Sequence, residues 1–78
     1  MGKQLYSVAI VGAGLIGKKR ASVAMAHPRC KVEYVCDVNI KAAESLSGQC
    51  GAESVTSWQV IAESEVDIVI VCTTHQNL

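Results

Sequence analysis

Val8-Ala9-Ile10-Val11-Gly12-Ala13-Gly14-Leu15-Ile16-Gly17 decides the fold, together with Asp37 at the end of a second apolar run, Lys31 to Cys36. An uncharged strand-like segment leads into Gly-x-Gly-x-x-Gly, and an acid follows twenty residues after the last glycine. Strand, glycine turn, helix, strand, acid is the order of a βαβ unit built to hold a dinucleotide. Each glycine meets a separate demand. Gly12 permits the tight turn out of the first strand, Gly14 leaves the backbone open to a pyrophosphate, and Gly17 lets helix and strand pack closely. The first-turn N–H groups, around Leu15 and Ile16, then face the ligand, and the helix dipole adds partial positive charge. A glycine-rich turn without a ligand is the bland alternative.

Asp37 is placed to accept hydrogen bonds from the adenosine ribose hydroxyls, and its charge repels a 2′-phosphate, which favours NAD over NADP. Its bland alternative is an N-cap for the following helix, and the two roles are compatible. Val38 adjoins it in the same candidate site. Lys41, one turn into that helix, is placed to approach a 2′-phosphate, so NADP stays open. The third site element is Cys72, Thr73 and Thr74, at the carboxyl end of the last strand, where hydroxyl and backbone groups can reach ribose or pyrophosphate. His75 has no identifiable carboxylate partner and reads as a structural or solvent-facing loop residue. His27, beside Pro28, reads as a capping or surface residue.

The remaining segments complete an α/β pattern. The first strand is Tyr6 to Val11, and its helix runs to about His27, stopped by Pro28. Gly17, Ala21 and Ala24 form a narrow face on which that helix can lie close to a sheet. Asn39 is an N-cap for a second helix carrying Ala43, Leu46 and Cys50 on one face, ended by Gly51. A short strand over Glu53 to Val55 follows. Thr56 and Gln59 have capping-box spacing for a brief helix through about Ser64. Trp58 reads as a packing residue at its start rather than a ring for the cofactor. Val66 to Cys72 reads as a strand buried on both faces. The expected fold class is α/β, a partial Rossmann-like parallel sheet of about four strands in the order 3-2-1-4, with helices on both faces.

Composition narrows the partners. Half of the 78 residues are apolar, yet three are aromatic and none is Phe, so the core must be aliphatic. Seven basic and seven acidic residues balance, and Lys18-Lys19-Arg20 reads as a solvated face with one phosphate contact at most, so no nucleic-acid partner is expected. No signal peptide or membrane-length apolar run is apparent. Cys30, Cys36, Cys50 and Cys72 form no Cys-x-x-Cys pair and offer no metal site, which implies free thiols in a reducing cytoplasm.

From Val8 onward the chain resembles the amino-terminal part of the Gfo/Idh/MocA oxidoreductases, a family of sugar and polyol dehydrogenases. The resemblance rests on Val-Ala-Ile-Val-Gly-Ala-Gly-Leu-Ile-Gly-Lys-Lys-Arg, then Val-Cys-Asp-Val-Asn, then Val-Asp-Ile-Val-Ile-Val-Cys-Thr-Thr. Two departures stand out: Thr73-Thr74-His75 where members often have Thr-Pro, and Arg20 where many carry His. The resemblance implies an NAD(P)-dependent oxidoreductase moving hydride between nicotinamide and a sugar- or polyol-type carbinol carbon. It also implies that residues 1–78 are the amino-terminal part of the dinucleotide-binding domain. Members carry a Glu-Lys-Pro segment with a catalytic Lys and a β-rich substrate domain beyond this stretch. The 78 residues alone are therefore expected to hold no catalytic residue and to be inactive. A small-molecule substrate belongs to the longer protein. The last strand would be an exposed apolar edge if nothing paired beyond it, so self-association into a homo-oligomer is expected. A non-catalytic nucleotide-sensing module is the alternative reading.

Overall fold

The computed structural model describes residues 5–72. Its elements, in chain order, are β1 (Tyr6–Val11), α1 (Leu15–Ala26), β2 (Cys30–Cys36), α2 (Ile40–Cys50), β3 (Glu53–Val55), α3 (Trp58–Glu63) and β4 (Ile68–Val71). The strands form one parallel sheet in the order β3-β2-β1-β4. Both the alternation of elements and the strand order agree with the sequence reading.

Two aliphatic clusters lie on opposite faces of the sheet. Val8, Ile10, Val32 and Val35 face α1 and α2, meeting Ala21, Ala24, Ala43 and Leu46. On the other face Ala9 and Cys36 meet Val55 and Ile61 of α3. No aromatic residue is fully buried in either cluster. Ile10 and Leu46 are among the largest side chains sealed from solvent.

The strand β2 departs from simple alternation. Its pairing with β1 shifts by one residue between Val8↔Val32 and Ala9↔Tyr34, leaving Glu33 unpaired. An extra residue of this kind puts Val32 and Val35, three apart, on one face, and turns Tyr34 and Cys36 to the other. The shift also decides what stands beside the glycine turn. Val11 pairs with Cys36, so the next positions, Gly12 and Asp37, sit side by side.

The helix termini follow local chemistry. The Asn39 side chain accepts from the N–H groups of Lys41 and Ala42, at 3.1 and 3.2 Å. Gly51 ends α2 in the left-handed region, φ 68°, as glycine permits. The cap of α3 is Ser57, whose hydroxyl accepts from the Gln59 N–H. Thr56 is thus not the cap that its spacing suggested. At the start of β4, the Asp67 carboxylate accepts from both the backbone N–H and the hydroxyl of Ser7, at 2.9 and 3.1 Å. This clamp ties the entry of β4 to the beginning of β1 across sixty positions of chain.

Two expectations need correction. The β4 strand is not buried on both faces: Ile68, Val69 and Val71 are exposed, because it is the outermost strand and α3 reaches only as far as β1–β3. Trp58 is not a packing residue. Its side chain is 64% exposed, while Ile61 anchors α3.

Two helical glycines separate packing from propensity. A Cβ at Gly17 would overlap the Gly12 carbonyl oxygen, a backbone atom that cannot rotate aside, whereas at Gly48 it meets only open space. Gly17→Ala should destabilise the fold by about 3 kcal/mol or more. Gly48→Ala should stabilise it by about 0.5–1 kcal/mol. Urea unfolding of both variants checks the opposite signs.

Candidate nucleotide-binding site

The site is assembled at the carboxyl ends of three adjacent strands. Gly12 lies between the ends of β2 and β4: its N–H donates to the Cys36 carbonyl at 2.7 Å, and the Cys72 N–H donates to the Val11 carbonyl at 2.7 Å. The turn that follows needs glycine for its backbone alone, since Gly12 has φ 104°. The chain then enters α1 with Gly17 pressed against the Gly12 carbonyl, and Ala21 and Ala24 continue the same buried face.

Gly14 is different. Its φ is −78°, an ordinary value, and a Cβ there would meet nothing within 4 Å. Neither backbone strain nor crowding within the chain calls for glycine at this position. What the missing side chain leaves is an open approach to the first turn of α1. That turn is also the only one of the three helix starts, among the described residues, that has no side-chain cap, and it contains no acid. The Lys18 N–H is satisfied by the Gly14 carbonyl, so the free donors are those ahead of it, Leu15, Ile16 and Gly17. The Leu15 and Ile16 side chains are exposed beside them. An anion placed there would meet N–H donors and the positive end of the helix dipole.

The Asp37 carboxylate stands at the edge of this turn. One oxygen accepts from the Ala13 N–H at 2.8 Å and the other from the Asn39 N–H at 2.9 Å. Asp37 therefore does not cap α2. That task falls to Asn39, and Asp37 instead ties the glycine turn to the end of β2. Each oxygen keeps a further lone pair for a hydroxyl donor.

Asp37 and Gly12 line a cleft of about 180 Å³ whose other walls include Val38, Thr56 and Trp58. Val38 is 92% exposed. The sequence reading missed Thr56 and Trp58 as site residues. Part of the signal was present in the adjacent Thr56-Ser57 pair, since a Ser57 cap leaves Thr56 outside the helix and on the cleft wall. Lys41 is exposed on the first turn of α2 and does not line the cleft. Cys72 lies at the predicted strand end, but its side chain is buried in the cluster beneath α1, which leaves its backbone for any ligand at that edge. Thr73, Thr74 and His75 lie outside the described residues. His27 behaves as a helix-end residue, its Nδ1 accepting from the Arg29 N–H at 3.1 Å.

A larger depression, about 310 Å³, borders Ser7 and the link from α3 to β4. It is lined by Glu33, Glu63 and Glu65. Three carboxylates disfavour a polyphosphate there, so the smaller cleft beside the glycine turn is the better candidate. Among the described residues no His, Cys, Asp and Glu cluster could hold a metal ion, and no helix is long and apolar enough to cross a membrane. All four cysteines are free thiols.

Sheet order, glycine turn and acid define an NAD(P)-binding domain of the Rossmann type. The chain belongs to the Gfo/Idh/MocA family: residues 6–77 match its model, described as "Oxidoreductase family, NAD-binding Rossmann fold". It is 33% identical over 72 residues to an inositol 2-dehydrogenase of Rhizobium meliloti (strain 1021), covering 88% of this chain and 22% of that protein. The fold superposes on a myo-inositol dehydrogenase from Corynebacterium glutamicum ATCC 13032 with a TM-score of 0.83 at 30% identity, covering 90% of this chain and 21% of the other. It superposes equally well on GenD2 from gentamicin A biosynthesis, solved in complex with NAD, with a TM-score of 0.85 at 30% identity and coverage of 91% and 21%. The chain thus spans about a fifth of the length of these relatives.

Gly14 should separate from Gly17 in experiment. Gly14→Ala should unfold within about 0.5 kcal/mol of the parent chain, because its Cβ meets nothing. The same change should weaken NAD at least tenfold by blocking the approach to α1, measured by calorimetric titration beside a urea melt.

Burial raises the thiol pKa values of Cys36, Cys50 and Cys72. The neighbouring Asp37 charge raises Cys36 further, and Arg20 pulls Cys72 part of the way back. As pH climbs past the ordinary thiol value of about 8.5, the unfolded chain ionises before the folded one. The folded state then binds more protons, so stability is fully present below that value and is lost above it. Urea midpoints should be flat through neutral pH and fall above it, with Cys36→Ala reducing the slope.

Proposed function

We propose that this chain supplies the adenosine- and pyrophosphate-holding half of the cofactor site in an NAD-dependent oxidoreductase acting on a polyol- or sugar-type carbinol. The observation that carries the reading is Gly14: nothing within the fold demands a glycine there, and its bare backbone opens onto the uncapped start of α1. Pyrophosphate is the group that needs that opening. Family membership and the inositol dehydrogenases among the relatives support the substrate class.

Each residue has a defined task in this reading. The N–H groups of Leu15, Ile16 and Gly17 bind the pyrophosphate oxygens, and Gly14 lets them approach. Asp37, already fixed by the Ala13 and Asn39 N–H groups, accepts from the two ribose hydroxyls. Val38 borders the same cleft. The backbone at Cys72 borders the other side of the turn, and Thr73 and Thr74, next in sequence, are assigned to the same task by their hydroxyls alone. When bound, NAD supplies a nicotinamide ring that accepts hydride from the carbinol carbon. In this reading the residues described hold and orient the cofactor, and no proton-transferring role is assigned to any of them. Among the described residues β4 has no neighbour on its outer side, and Ile68, Val69 and Val71 are exposed there, a surface suited to pairing with another strand. Left uncovered, it would favour association of copies.

Cofactor choice tests the assignment of Asp37. The wild-type chain should bind NAD more tightly than NADP, because a 2′-phosphate would face the Asp37 carboxylate. Asp37→Asn should weaken NAD about tenfold through loss of charge-assisted hydrogen bonds. It should weaken NADP less, or strengthen it with help from Lys41. Calorimetric titration of both cofactors against both proteins checks this, and a wild-type preference for NADP would refute the role given to Asp37.

A further inference from the structure

We propose that Trp58 is the face on which the adenine ring stacks, with Val38 bordering the same slot. This deepens the cofactor reading above and rests on it. An indole is costly to leave in water, since few side chains carry so much apolar area. Yet Trp58 is 64% exposed and Val38 92% exposed, and both line the cleft that contains Asp37. The fold does not need Trp58 where it stands. The α3 helix is anchored by Ile61 and capped by Ser57, so the indole neither fills the core nor ends the helix.

The covalent layout of an adenosine then limits where the base can lie. With its ribose hydroxyls on Asp37, the ring attached to that ribose must occupy space next to Asp37. The cleft of about 180 Å³ offers that space, and among the described residues Asp37 is the only charged one lining it. It is smaller than the ~300–1,000 Å³ of sites that enclose a drug-sized ligand. It therefore suits one flat, uncharged ring system of a dinucleotide rather than the whole molecule. An aromatic face and an aliphatic side chain recognise such a ring by shape and stacking. The consequence is that this half-site recognises the adenosine end, with nicotinamide contributing nothing to the contact with Trp58.

Trp58 is the only tryptophan of the 78 residues, so its emission reports on that one side chain. The 78-residue chain is titrated with NAD, ADP-ribose and nicotinamide mononucleotide, following tryptophan emission and, in parallel, heat. NAD and ADP-ribose should quench the emission saturably, with midpoints matching the calorimetric ones, and the mononucleotide should leave it unchanged. Trp58→Ala should weaken NAD and ADP-ribose about five- to fiftyfold, the loss expected for one base–aromatic stack. Trp58→Phe, which keeps a stacking face, should restore most of that affinity. Unchanged circular dichroism in the variants separates loss of stacking from loss of fold, and the wild-type emission needs no variant at all.

If heat shows that NAD binds while the emission stays constant, or Trp58→Ala keeps the affinity within about twofold, the stacking role is overturned and the cofactor reading survives. If no heat and no quenching appear with NAD, the cofactor reading fails and this inference falls with it.

Discussion

The contact between Gly17 and the carbonyl of Gly12 sets the distance from which the candidate site is built. A helix that lies this close to the strand before it can do so only because position 17 has no side chain, and the opposing atom is backbone. Ala21 and Ala24 extend the same approach along α1, so the helix axis is held near the sheet over two further turns. Holding the helix there also holds its first turn over the end of β1, where the donors of Leu15, Ile16 and Gly17 have no partner within the helix. Any side chain at position 17 would push those donors away from the turn that Gly12 makes. Packing and the placing of these donors are therefore one geometric requirement, enforced by atoms that have no freedom to adjust.

A second constraint is easier to overlook. The one-residue shift at Glu33 carries Asp37 into line with Gly12. Had β1 and β2 kept their initial register, Cys36 would stand beside Gly12, and Asp37 would be moved one position along and turned to the opposite face. The same shift keeps Val35 in the core beneath α1 and α2 and turns the Tyr34 ring to the other side. Lys31 and Glu33 form an ion pair at 3.7 Å on the exposed side, too open to water to decide the register. The apolar pattern decides it: Val32 and Val35, three apart, both gain burial only if one residue between them is left out of the ladder.

Much of this was legible in the chain itself. Each strand from β1 to β3 was readable to within one residue, because aliphatic runs bounded by Gly, Pro or Asn leave few alternatives. The Asn39 cap, the Gly51 stop and the small-residue face of α1 follow from local chemistry that acts over a single turn. The misreadings share a different cause. Burial of β4 depends on what lies beyond it, and an aliphatic run looks the same at a sheet edge as at its centre. Trp58 stands at the first position of a helix of six residues, where one anchor, Ile61, is enough, and its apolarity does not say whether its ring turns inward. The Val32–Val35 spacing did contain the signal for the irregular pairing, hidden within a run short enough to pass for a regular strand.

The two backbone hydrogen bonds to Asp37 bear on how such a site can change. Its carboxylate is fixed at one oxygen by Ala13, within the glycine turn, and at the other by Asn39, which caps α2. The carboxylate proposed to select the ribose is thus also the brace between the glycine turn and the next helix. Replacing it to admit a 2′-phosphate removes charge repulsion and loosens that brace in the same step. Val38 and Lys41 carry no such double duty. Val38 projects into solvent, and Lys41 is exposed on the first turn of α2. A basic side chain introduced at Val38, beside an unaltered Asp37 that still holds the turn, could therefore shift cofactor choice without weakening the turn. In this architecture the residue that looks like the selector is the one least free to vary, and the exposed neighbours are where selectivity can be tuned.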